Sequence, residues 1–104
     1  MSLLSFIGFG NSRIKTALRE GAVIIDVRPA GAFDQGKIPG SVNIPIDRIA
    51  INAARIRSMS RPVIFCAAYT IHSSTAARIM KEKGLKEVYD AGNWEKLLKI
   101  VNKL

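Results

Sequence analysis

Two short apolar runs, separated by segments with helical spacing, constrain the fold more than any other feature of this chain of 104 residues. Residues 22–25 and 62–65 are continuously apolar and do not alternate between apolar and polar side chains. Such runs are typical of parallel strands that helices cover on both faces. The sequence therefore predicts an α/β fold in which a mainly parallel sheet lies between two layers of helices.

Helix and turn signals divide the rest of the chain. Helices are predicted to begin at four points: at an N-cap Ser12, after Pro45 with an apolar face from Ile46 to Ile56, near Ser73, and at an N-cap Asn93. Further strands are predicted at residues 41–43 and 87–90. Residues 29–40 are rich in Gly and Pro, which predicts an irregular stretch with tight turns.

The charge is strongly basic, with 16 Lys and Arg residues against 8 Asp and Glu residues and a formal net charge of +8. The basic residues are dispersed, no aromatic residues interleave with them, and the chain has no nucleic-acid motif. A solvated basic surface is the first interpretation. A field that draws small anions to a site is the second, and nucleic-acid binding is a distant third.

The N-terminal residues 1–11 form an apolar segment, and residues 12–104 are predicted to form one domain. The apolar segment is too short to span a bilayer and lacks the basic start of a signal peptide. The single cysteine cannot form an internal disulfide, which fits a reducing compartment. We therefore expect a cytoplasmic protein without a membrane span; the oligomeric state is left open.

That cysteine, Cys66, follows an apolar strand directly and is predicted to open a loop of residues 66–72 before the next helix. A thiol that faces a helix N-terminus is favoured as thiolate. Asp26 ends the other apolar strand, and ligands bind at the carboxyl ends of parallel strands. Cys66 is thus a candidate nucleophile for sulfur or phosphoryl chemistry, with an inert buried side chain as the equal alternative.

His72 is the only histidine, and its possible roles are an anion clamp, a general acid or an ordinary loop residue. One cysteine and one histidine provide too few ligands for a zinc site. No metal and no cofactor are expected.

The sequence resembles the rhodanese (sulfurtransferase) domain family. The resemblance rests on Asp26-Val27-Arg28, Phe33, the block from Gly36 to Pro45, Ala76-Ala77, Gly84, Val88-Tyr89 and Gly92-x-Trp94. It covers roughly residues 12–100 and implies a three-layer fold of about five mainly parallel strands with helices on both faces.

The resemblance also implies a mechanism. Cys66 would take sulfane sulfur from a small anionic donor, such as thiosulfate or polysulfide, and pass the persulfide sulfur to a thiol acceptor, a small thiol or a thioredoxin-like protein. Asp26 and Arg28 would order the scaffold. The loop expected to hold the substrate comprises Ala67, Ala68, Tyr69, Thr70, Ile71, His72 and Ser73.

The chain departs from the family pattern around this loop. The family spacing is Cys-x4-Arg-Ser, whereas this chain reads Cys66-x5-His72-Ser73, and the usual loop glycine is missing. Ala32 replaces an acidic residue, and Lys37 replaces a histidine. Two alternatives therefore accompany the sulfurtransferase: a catalytically inactive binding or regulatory module, and a Cys-x5-His phosphatase or arsenate reductase.

Overall fold

A computed structural model describes residues 10–104, in which strands and helices alternate. In chain order the elements are α1 (Gly10–Arg19), β1 (Val23–Asp26), α2 (Ala30–Gln35), β2 (Val42–Asn43), a 3-10 helix (Ile46–Arg48), α3 (Ala53–Ser58), β3 (Val63–Ala67), α4 (Thr70–Glu82), β4 (Val88–Asn93) and α5 (Trp94–Asn102).

The four strands form one parallel sheet in the order β2-β1-β3-β4. The predicted α/β class is confirmed, with four strands in the described part of the chain where the resemblance implied about five. Strand β3 is central, and Asp26 and Cys66 are paired neighbours on β1 and β3. Because every strand runs the same way, the carboxyl ends of all four strands lie on the same side of the sheet, which is its carboxyl edge.

Two apolar layers hold the helices on opposite faces of the sheet. On one face Phe65 and Ala67 cluster with Ala76 and Met80 of α4, and α3 packs on the same face. On the other face Ile64 and Cys66 cluster with residues of α1 and α5. The side chains of β3 therefore alternate between the two faces, as the pleat of a strand requires.

Several local predictions are wrong. Ser12 lies within α1, because the helix begins at Gly10, and Ser73 lies within α4. The helix predicted after Pro45 is interrupted into a 3-10 helix and the short α3. The stretch predicted to be irregular contains helix α2.

Other local predictions are confirmed. The side chain of Asn93 accepts hydrogen bonds from the amides of Glu95 and Lys96, so it is the N-cap of α5. Gly21 ends the first helical segment with a φ of 88°. Of the apolar segment predicted at residues 1–11, residues 1–9 lie outside the described part. Within residues 10–104 no helix is long and apolar enough to cross a membrane.

Candidate functional site

The carboxyl edge of the sheet is organised around a buried ion pair. The side chains of Asp26 and Arg28 are 0% and 6% exposed, and Arg28 Nη2 lies 2.8 Å from Asp26 Oδ2. Arg28 Nε donates to both carboxylate oxygens at 3.0 Å, and the Arg28 amide donates to Oδ1. The two charges are thus paired and hydrogen-bonded, as buried charges must be.

The same guanidinium group ties this pair to helix α2 and to the start of α5. It donates to the carbonyl oxygens of Ala32 at 3.3 Å and Gly36 at 2.6 Å. Its carbon lies 4.1 Å from the centre of the Trp94 ring, the geometry of a cation–π contact. The planar fork of arginine suits this arrangement, since it donates to a carboxylate and to two carbonyl oxygens while its face lies on an aromatic ring.

Cys66 lies next to this pair and is fully buried, with an exposed fraction of 0%. Burial raises the pKa of its thiol far above the ordinary value; the Asp26 carboxylate raises it further, and Arg28 acts in the opposite direction. The expectation that a helix N-terminus favours the thiolate of Cys66 is therefore wrong for this structure. The charge of a thiolate is poorly solvated in this apolar layer.

The raised pKa predicts a stability effect above neutral pH. Above about pH 8.5 the thiol ionises in the unfolded chain but stays protonated in the folded one, so alkali favours unfolding by up to about 1.4 kcal/mol per pH unit. Urea unfolding of wild type and Cys66→Ala across this range checks it. The stability advantage of wild type over the variant should shrink only above that pH; a difference independent of pH would contradict the prediction.

The segment predicted as a long loop is mostly regular structure. Cys66 and Ala67 are the last residues of β3, and α4 begins at Thr70, so only Ala68 and Tyr69 connect the two elements. The remaining members of the predicted loop, Ile71, His72 and Ser73, are helical. The predicted boundary of the loop is wrong at both ends, because β3 continues its pairing with β4 as far as Ala67.

Cys66 and His72 are also not brought together. His72 is exposed on α4 and its ring stands edge-on to Tyr69, with centroids 6.1 Å apart. Cys66 is buried on the face of the sheet that α1 and α5 cover. The spacing of these two residues in the sequence therefore does not correspond to a catalytic pair in space.

An exposed apolar surface marks the start of α4. Tyr69 and Ile71 are both 69% exposed, although large apolar side chains are usually buried. They flank Thr70, the first residue of α4. Both side chains therefore lie exposed at the N-terminus of α4, beside the carboxyl end of β3.

Sequence reasoning missed two residues that shape this edge. The side-chain amide of Asn43 donates to the carbonyl oxygens of Asp26 and Arg28, at 3.0 and 2.8 Å, and so joins β2 to the ion pair. The ring of Trp94 stacks on the Arg28 guanidinium group. Both residues lie in the conspicuous Asn-Ile-Pro and Gly-x-Trp segments, but no pattern in the sequence identifies their partners.

Within residues 10–104 no group of three or more His, Cys, Asp or Glu side chains is arranged to hold a metal ion. The contacts at the carboxyl edge are instead those of a buried ion pair, a buried thiol and an uncapped helix, since no side chain caps the N-terminus of α4.

Comparison with known proteins identifies relatives over most of the chain. A family model described as "Rhodanese-like domain" matches residues 11–96. The protein is 35% identical over 74 residues to thiosulfate sulfurtransferase GlpE of Pseudomonas syringae pv. syringae, covering 70% of this chain and 69% of that protein.

Two further matches show the range of proteins that share this domain. The HTH-type transcriptional regulator Rv0324 of Mycobacterium tuberculosis is 36% identical over 62 residues, which is 59% of this chain but only 27% of the regulator. A solved structure titled "rhodanese with anions from E. coli" superposes with a TM-score of 0.65 at 25% identity, covering 72% of this chain and 89% of that one.

Proposed function

Because the chain belongs to the rhodanese-like domain family, we propose that it is a binding or regulatory module of that family that does not pass sulfur through Cys66. At the level of the family it is a sulfurtransferase-type domain, since thiosulfate sulfurtransferases are among its relatives. The observation that carries the proposal is the complete burial of Cys66, on the face of the sheet opposite α4.

The reactivity of a buried thiol explains why Cys66 is not expected to carry sulfur. Sulfur transfer needs a thiolate that a donor anion can reach. Burial raises the pKa of the Cys66 thiol, and Cys66 lies on the face of the sheet opposite α4, so the N-terminus of that helix cannot stabilise its thiolate. No arginine follows in the segment 67–73, where His72 is the only side chain that can become cationic.

Exposed apolar side chains near the N-terminus of α4 support a function in binding a protein partner. Tyr69 and Ile71 form an apolar surface beside His72, and such surfaces favour protein partners. The match to part of a transcriptional regulator supports a regulatory use of the domain. The cytoplasm stays the expected location on the basis of the lone cysteine, and the division into residues 1–11 and 12–104 also stays a prediction.

A second candidate function is sulfur transfer through a Cys66 persulfide, with a thiosulfate or polysulfide donor and a small thiol or thioredoxin-like acceptor. It is favoured by the position of the chain's only cysteine beside Arg28, whose charge acts to lower the thiol pKa. The phosphatase or arsenate-reductase alternative has no such support, because Cys66 is buried and His72 is exposed.

One assay separates the two candidates. Thiocyanate formation from thiosulfate and cyanide is measured for the wild type, for Cys66→Ser and without protein. We expect all three rates to be equal, because the thiol does not take part. Thiocyanate formation by wild type that Cys66→Ser loses would overturn the proposal and establish the second candidate.

A further inference from the structure

The last two residues of β3 present their side chains to opposite faces of the sheet. Cys66 packs with Ile14, Ala17 and Leu97 on the face covered by α1 and α5. Ala67 packs with residues of α4 on the other face. A side chain at position 67 therefore lies beneath α4, whereas a side chain at position 66 lies on the far side of the sheet.

Helix α4 covers the position of Ala67. Ala67 shares a cluster with Ala76 and Ala77 of α4 and is separated from Thr70, where α4 begins, by two residues. No side chain caps this helix N-terminus, so its amide groups keep their positive partial charge. Ala67 is itself buried, at 1% exposed, so the two positions differ in the face of the sheet that they meet and not in burial. Only the face of Ala67 is covered by α4, whose N-terminus favours a thiolate over a thiol.

The number of residues between position 67 and His72 matches the family spacing Cys-x4-Arg. Five residues separate Cys66 from His72, but only four separate Ala67 from His72. The two residues that connect β3 to α4 follow Ala67, which still pairs with Asn93 of β4 after a register shift between Phe65 and Cys66. The apparent extra residue belongs to the strand.

We propose that residue 67 is the nucleophile position of this site, and that Ala67 leaves the site without a group that can accept sulfur. The inference rests on the proposed function, which it deepens by naming the position where the reacting group is missing. It assigns the missing nucleophile to one side chain, in a connection that also carries His72 in place of the family's arginine.

A thiol at this position would restore transfer of the outer sulfur of thiosulfate to cyanide. The thiolate attacks the outer sulfur of thiosulfate, and a new S–S bond forms. The bond between the two sulfur atoms of thiosulfate breaks, and its electron pair leaves with sulfite. The protein is left with a persulfide, whose outer sulfur cyanide removes as thiocyanate while the thiolate is regenerated.

The test uses proteins that carry one cysteine each. Ala67→Cys is introduced together with Cys66→Ser. The pKa of the new thiol is measured from thiolate absorbance, and the intact mass is measured before and after incubation with thiosulfate. We expect a thiol pKa below about 8.5, the ordinary value, and a mass gain of one sulfur atom. The matched control is Ala68→Cys with Cys66→Ser, whose exposed thiol should gain no sulfur.

A second variant guards against misfolding of the first. Ala67→Cys with Cys66 retained keeps the native neighbour, and peptide mapping shows which cysteine carries sulfur. Sulfur on residue 67 supports the proposal. Sulfur on Cys66, or no lowering of the pKa and no sulfur at residue 67 in a folded protein, overturns it. The proposed function is tested separately, since it depends only on the wild type.

Discussion

Replacing Arg28 with methionine is expected to lower the free energy of unfolding by about 3–5 kcal/mol, because it leaves the Asp26 carboxylate buried without its partner. The carboxylate is fully buried, and Arg28 supplies it with both a side-chain fork and a backbone amide bond. The variant also loses the bonds to Ala32 and Gly36 that hold helix α2. Urea denaturation measures the change.

The control is the exposed ion pair of α4. Arg78 Nη1 lies 3.4 Å from Glu82 Oε1, with side chains 62% and 64% exposed. Arg78→Met should therefore cost no more than about 0.5 kcal/mol. Adding Asp26→Asn to Arg28→Met should recover part of the loss, since it removes the unpaired charge. Equal costs for Arg28→Met and Arg78→Met would show that the buried pair does not hold this edge together.

Phe65→Ala is the second large effect, with an expected loss of about 3–5 kcal/mol from lost burial and the cavity that remains. Phe65 is fully buried in the centre of β3, between its pairings with β1 and β4. The strand also carries Cys66 and Ala67, so its packing fixes which face each residue meets. Thermal and urea unfolding measure the loss.

An exposed residue serves as the comparison for Phe65. Ile71 on α4 is 69% exposed, and Ile71→Ala should change the free energy of unfolding by no more than about 0.5 kcal/mol. If Phe65→Ala were equally mild, the cluster around β3 would not be the main core of the fold.

The class of fold was predictable because β1 and β3 are buried on both faces. Their apolar runs predicted both strands to within two residues, and Asn93 predicted the start of α5. These signals are local: a strand covered on both sides must be apolar throughout, and a cap acts on amides two or three residues away.

The helix after Pro45 could not be predicted correctly, because apolar residues every three or four positions fit both a continuous helix and two short ones. The Asn52 side chain donates to the Arg48 carbonyl oxygen at the break. Such bonds compete with the helical pattern. The prediction that a helix begins near Ser73 is wrong for a similar reason. Ser73 and Ser74 hydroxyls donate to carbonyls three residues earlier, inside the helix, and cap nothing.

The end of β3 was predicted less well because a single residue decided it. No Gly or Pro separates Phe65 from Thr70, so the sequence does not mark where β3 ends. Placing the end at Phe65 made Cys66 the first residue of a loop that faces α4. Continuing the strand to Ala67 reverses this, because a shift of one residue along a strand moves a side chain to the opposite face.

We propose that Cys66 is withdrawn from the site at the carboxyl edge. The most direct test is the intact mass of the folded wild-type protein after incubation with thiosulfate and with polysulfide. We expect an unchanged mass with both donors. A gain of one sulfur atom, absent from Cys66→Ser, would contradict it and would make Cys66 the sulfur carrier of this domain.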